Sequence, residues 1–135
     1  MSNEPEGSAA FEPATQALTA QISNEMVRLY KDLFGRGPTR ARTNFAGPDT
    51  VVSTLENSMT PAERSMVELG EQQQLRDVRL FFQAAREEDF RETVEQLTGR
   101  RVRAFVSGMD ADQDVATEVF YLEPGPSAVP ARPRL

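Results

Sequence analysis

The sequence predicts an α+β fold: two helix-strand-strand units that build a four-stranded, mainly antiparallel sheet with two main helices on one face. Three observations carry this. A helical period of apolar residues runs to Phe34 and stops at Gly35. Two alternating stretches follow, joined by a Gly-Pro-Asp turn, and a new helix is then signalled at Thr60. The same order returns in LTGRRVRAFVSGMDADQDVATEVFYLE, residues 97–123, behind a second helical period.

Residues 1–12 are polar, with Gly and Pro, and are expected to form a disordered tail before a single domain over 13–123. From Pro13 to Phe34, Leu18, Ile22, Met26, Leu29 and Leu33 recur at steps of four and three, one face of an amphipathic helix. Pro13 suits a first helical turn, where its missing N–H costs nothing. Gly35 suits the left-handed position after the helix, and Pro38 prevents its resumption. The first strand, Thr39 to Phe45, alternates so that Arg40, Arg42 and Asn44 share a face. The second, Thr50 to Glu56, carries Val51, Val52 and Leu55, and the Gly47-Pro48-Asp49 turn makes the pair an antiparallel hairpin.

Thr60-Pro61-Ala62-Glu63 is a helix start. The Thr60 hydroxyl can cap the N-terminus, Pro61 fits the first helical position, and Glu63 can reach back to the cap's own N–H. This short helix carries Met66, Val67 and Leu69 and ends at Gly70. A longer helix is expected from Gln72 to Thr98, with Leu75, Val78, Phe82, Ala85, Phe90, Val94 and Leu97 as its apolar stripe and Phe81 beside it. Gly99 is its stop. The final hairpin is Arg101 to Ser107 with Val115 to Leu122, and the last strand is apolar on both faces, which suits a central or doubly covered position. Residues 124–135 hold four prolines and no periodicity, a second expected tail. The pattern leaves the strand order open. The sheet face away from the helices is expected to carry Arg40, Arg42, Phe105, Phe120 and Leu122. An apolar face of that size needs cover, so a homodimer is expected.

Composition narrows the chemistry. With 135 residues the chain can bury a core, and its net charge of −6 argues against broad nucleic-acid binding while allowing a local basic patch. There is no Cys and no His, which removes disulfides, thiolate zinc sites and the commonest general base and metal ligand. Carboxylates, Lys31, the arginines, Tyr30 and Tyr121 remain. No catalytic residue, cofactor or metal site is expected. No apolar run is long enough to span a bilayer, and the acidic start MSNEPEGSAAFEP lacks a signal peptide's positive n-region. A cytoplasmic protein without membrane insertion is expected.

Four clusters of polar or glycine residues are candidates for function. Arg28, Lys31, Arg36, Arg40 and Arg42 cluster around the first turn; the plain reading is a solvated surface, the functional one a patch for an acidic partner or anion. Gly35-Arg36-Gly37-Pro38 leads from helix into strand and lacks a Lys-Ser/Thr pair, so it is a structural turn rather than a phosphate loop. Asp110, Asp112 and Asp114 resemble the opening of a calcium loop, but Val115 and Tyr121 stand where Gly and Glu are required, so a solvated hairpin tip is preferred. Glu87, Glu88 and Asp89 spread around a helix and are expected to be a solvated face.

ISNEMVRLYKDLFGRGPTRARTNF, LENSMTPAE, LTGRRVRAFVS and DVATEVFYLEP together resemble the MpsC family over residues 20–124. These small bacterial proteins are named for a sodium-translocating, membrane-potential-generating system. The resemblance implies an accessory or partner-binding role beside a membrane cation or inorganic-carbon transport system. Family members often carry a Ser-Asp-Asn-His-type stretch in the last hairpin. Ser107, Gly108, Met109 and Asp110 stand there, so a polar or metal-related role at that tip is not expected, and no catalytic residue carries over. The expected function is a non-enzymatic interaction protein using Arg36, Arg40 and Arg42 as its contact surface. The alternative is a nucleic-acid or nucleotide-binding regulatory module using the same arginines, and an enzyme built on carboxylates is third.

Overall fold

The computed structural model describes residues 6–125, with side chains from Pro13 on. Its elements are α1 (Glu6–Phe34), β1 (Arg40–Phe45), β2 (Thr50–Glu56), α2 (Pro61–Glu68), α3 (Gln72–Ala85), α4 (Glu87–Thr98), β3 (Val102–Asp110) and β4 (Val115–Leu122). The class and the repeated helix-strand-strand order are those the sequence predicts. Of the expected tails, residues 1–5 and 126–135 lie outside the described residues. Residues 6–12 are helical, so α1 begins ahead of Pro13 and takes that proline into its interior with the loss of one backbone hydrogen bond.

All strand pairs are antiparallel, in the order β1-β2-β4-β3, so the two hairpins meet through β2 and β4. The central place of β4 accounts for its two apolar faces. Its inward residues Ala116, Glu118, Phe120 and Leu122 are buried in strict alternation, as are Val51, Ser53 and Leu55 of β2. Onto this face α1 lays Ile22, Met26, Leu29 and Tyr30, and α4 lays Phe90 and Val94. Gly35 ends α1 at φ 81, its N–H returning to Lys31 O at 2.9 Å. Gly37 is favoured for a different reason: a Cβ there would crowd α1, sitting 3.0 Å from Val27 O.

Three expectations are corrected. Phe120 and Leu122 belong to the core, not to the outer face, and Phe105 joins them, stacked between Phe120 at 5.0 Å and Phe90 at 5.6 Å. The cause is a β-bulge: the register shifts between Val102 and Ala104, which turns Phe105 inward and leaves Val106 exposed. The outer face instead carries rows of small and β-branched residues, such as Val52, Val119 and Val106 in register.

The single long helix is two. The chain leaves helical geometry at Arg86 (φ −112, ψ 17), between α3 and α4. A straight helix over 72–98 would run about 40 Å, longer than a strand of β4's length at roughly 27 Å, and the break lets both halves stay on the sheet. Glu87, Glu88 and Asp89 form the first turn of α4, where the helix dipole favours negative charge. They stay exposed or half-exposed, as expected of a solvated face, but at a helix start and not in mid-helix.

The third correction concerns which side of α3 is buried. Its inward residues are Leu75, Arg79 and Gln83, while Val78 and Phe82 of the expected apolar stripe, and Phe81 beside it, are exposed.

The capping box of α2 forms as read. Glu63 N–H donates to Thr60 Oγ1 at 3.2 Å and Thr60 N–H to Glu63 Oε1 at 2.9 Å. Replacing Thr60 with Ala is expected to cost about 1 kcal/mol of stability. A urea denaturation midpoint that stays at the wild-type value would show that the cap contributes nothing.

Candidate functional site

Arg40 and Arg42 alternate on edge strand β1, so both stand on its outer side, opposite Glu56 and Thr54. Both are exposed. Arg40 Nη1 lies 3.8 Å from Glu56 Oε2, a solvent-screened pair worth little. Arg36 goes elsewhere: its Nη1 donates to Asn57 O and Met59 O, both at 2.8 Å, and holds the loop between β2 and α2. Arg28 pairs along α1 with Glu25 at 2.8 Å and Asp32 at 3.2 Å. The structure therefore brings Arg40 and Arg42 together and turns Arg36 into the fold.

The Asp110-to-Asp114 tip is not a convergent acidic site. Asp114 accepts from Ser58 N–H at 3.0 Å and Met59 N–H at 3.2 Å and so fastens the last hairpin to the β2–α2 loop. Asp112 accepts from Gln72, and Asp110 from the Gln113 N–H. The tip expected to be solvated is partly a structural clasp. A cleft of about 420 Å³ lies beside α4 and β3, lined by Glu87, Glu88, Arg91, Glu95, Arg101 and Arg103. Its charges of opposite sign are already in contact where Arg91 meets Glu87 at 2.6 Å.

The densest polar chemistry is inside the protein. Arg79, only 1% exposed, forks onto Glu63 with Nε to Oε2 and Nη2 to Oε1 both at 2.7 Å, and adds Ser58 Oγ and Ser58 O at 3.2 Å. Its guanidinium carbon lies 4.0 Å from the centre of the Phe34 ring. Burial by itself raises the Glu63 carboxyl, but the Arg79 fork and the Thr60 N–H outweigh it and hold it below the usual carboxylate range.

One helical turn further, Gln83 Nε2 donates to Glu118 Oε2 at 2.7 Å and to the Tyr30 hydroxyl oxygen at 2.9 Å, and the Tyr30 hydroxyl donates to the same Glu118 oxygen. Glu118 and Tyr30 have no exposed surface. Burial pushes the Glu118 carboxyl up to about 7, against the opposing pull of Tyr30, Ser107 and the Arg79 charge. Burial and the neighbouring carboxylate likewise drive the Tyr30 hydroxyl well above its ordinary value.

Glu118 belongs to a polar row that crosses the sheet. Thr43, Ser53, Glu118 and Ser107 are successive partners from β1 to β3. Thr43 and Ser53 hydroxyls lie 2.8 Å apart, and Ser23 of α1 joins Thr43 at 2.8 Å. At the other end Glu118 Oε1, Ser107 Oγ and Gln83 Oε1 are buried without a well-aligned hydrogen bond. The Ser107 hydroxyl still lies close enough to favour the charged carboxylate. A proton on Oε1 gives that oxygen a hydrogen to offer, which fits the raised titration. These groups are sealed from solvent and pack within the core. Sequence reasoning missed it, though a glutamate between Ala116 and Phe120 on one strand face was the available signal.

The sequence model described as "Na+-translocating membrane potential-generating system (MpsC)" matches residues 14–124. The chain belongs to the MpsC family. A search of curated proteins and a search of solved structures each find no match. In this MpsC-family chain the matched span includes both the Arg40–Arg42 strand and the Tyr30–Glu118 cluster. Among its described residues no helix is long and apolar enough to cross a membrane.

Two outcomes are expected. Glu118 binds its proton more tightly in the folded than in the unfolded chain. Folding stability should therefore fall as pH rises from the ordinary glutamate range to about 7, by on the order of 3 kcal/mol, and then level. Glu63 acts oppositely: its stabilisation is present above the ordinary carboxylate value and is lost as pH falls below it. Urea denaturation of Glu118→Gln against wild type from pH 5 to 8 checks the first, since the variant should lose the decline. A decline of equal size in both proteins would refute it. Second, Arg79→Ala strands the Glu63 carboxylate and should cost about 3–5 kcal/mol, read in the same assay.

Proposed function

We propose that this MpsC-family chain is a non-enzymatic accessory protein of a Na+ membrane-potential-generating system. It works in the cytoplasm as a homodimer and binds a component of a membrane cation or inorganic-carbon transport system. The observation that carries the reading is the pair Arg40 and Arg42, exposed side by side on an edge strand. Two guanidinium forks a strand-repeat apart fit carboxylates on an acidic partner segment. The strand's free edge can also accept backbone hydrogen bonds from an added strand. Arg36 supports the surface from behind by holding the adjacent loop.

The test is affinity capture from detergent-solubilised membranes of the native host, with wild type and Arg40→Ala/Arg42→Ala as baits. Wild type should retain a transport-system component, and the double variant should retain at least about tenfold less at an unchanged melting temperature. Equal retention by both baits would remove these arginines from the contact. Salt-sensitive binding of RNA or DNA that the double variant loses would favour the regulatory alternative.

A further inference from the structure

We infer that α3 is the dimer surface of this chain: two copies pack their α3 helices antiparallel, centred between Phe81 and Phe82. This rests on the homodimer reading above and supplies the surface that the sheet does not. The expected dimer face held Phe105, Phe120 and Leu122, and all three pack in the core. Of the large apolar side chains left exposed, Phe81 at 68%, Val78 at 44% and Phe82 at 43% share one side of α3, while Leu69 at 77% belongs to the end of α2 and Val106 at 54% to the outer sheet face.

The stretch DVRLFFQAAR, residues 77–86, is complementary to itself when reversed on its exposed side. An antiparallel pair about that centre sets Phe81 against Phe82 and bulky Val78 against small Ala85. Beyond them Asp77 meets Arg86, and the two-fold axis repeats each contact. Such self-matching is what an isologous contact requires and what an unrelated partner has no need of. Arg86 stands where the chain turns out of α3, so its side chain can reach the first turn of the opposing helix.

The charges are available for this. Arg86 pairs with Asp89 at 2.6 Å between side chains 43% and 46% exposed, and Asp77 only accepts from Gln73 at 2.9 Å on the surface. Exposed contacts of this kind contribute little and can change partner at small cost. The chain's net charge of −6 opposes like-charged copies at long range. Opposite charges at both ends of the stripe offset that repulsion locally and fix the antiparallel sense.

Sedimentation velocity over a concentration series, with thermal melts as a folding control, tests the proposal. Wild type should show a monomer–dimer equilibrium, and Phe81→Glu should raise its dissociation constant by at least about tenfold. Asp77→Arg and Arg86→Asp should each weaken the dimer, and the double swap should restore it to within about threefold of wild type. A wild-type chain that is monomeric throughout overturns both the homodimer reading and this surface. A dimer untouched by Phe81→Glu, or a charge swap without rescue, overturns the surface and leaves the homodimer standing.

Discussion

A guanidinium in the middle of a protein must be met on all sides, and Arg79 is met by three segments at once. Glu63 of α2 takes its fork, the β2–α2 loop supplies Ser58, the Phe34 ring of α1 lies against its face, and α3 carries it. A buried charge without partners would cost several kcal/mol, so the surrounding pieces are constrained to converge. The capping box gains from this, because the carboxylate that caps α2 is the one Arg79 holds. One turn along the same helix face, Gln83 reaches Tyr30 and Glu118. The price is orientation: a helix that buries Arg79 and Gln83 must show its phenylalanines to solvent.

That inversion marks the boundary of what the sequence discloses. Elements whose cause is local were legible: the Gly35 stop, the Thr60 cap, the Gly47-Pro48-Asp49 hairpin and the alternation of β2 and β4. Period alone assigned α3 its apolar stripe, because hydrophobic pattern assumes that charged residues avoid the core. Arg79 violates the assumption through partners that lie far away in sequence. The β3 bulge is a similar case, since one additional residue at Arg103 reverses every later side chain, and nothing in VRAFVS announces it. The break at Arg86 was better signposted, by three acids in succession that suit a helix start.

For the candidate sites the balance is different. The basic cluster was visible, but only strand alternation and the observed loop contacts separate Arg40 and Arg42 from Arg36. The polar row was nearly visible as a lone glutamate on an apolar strand face, and its meaning depends on which strands stand beside β4. Membership of the MpsC family supplies the biological setting, while the residues themselves supply an exposed pair of arginines and a sealed polar core.

The row of Thr43, Ser53, Glu118 and Ser107 bears on how the sheet finds its alignment. Sliding any strand by one position would swap a hydroxyl or carboxylate for a side chain of the outer face, breaking the chain of partners and facing apolar residues to water. Hydrophobic strands alone tolerate several near-equivalent pairings. A polar rung spanning all four strands makes the slipped alternatives costly, so it acts as a proofreading element for assembly, bought at some expense of core stability.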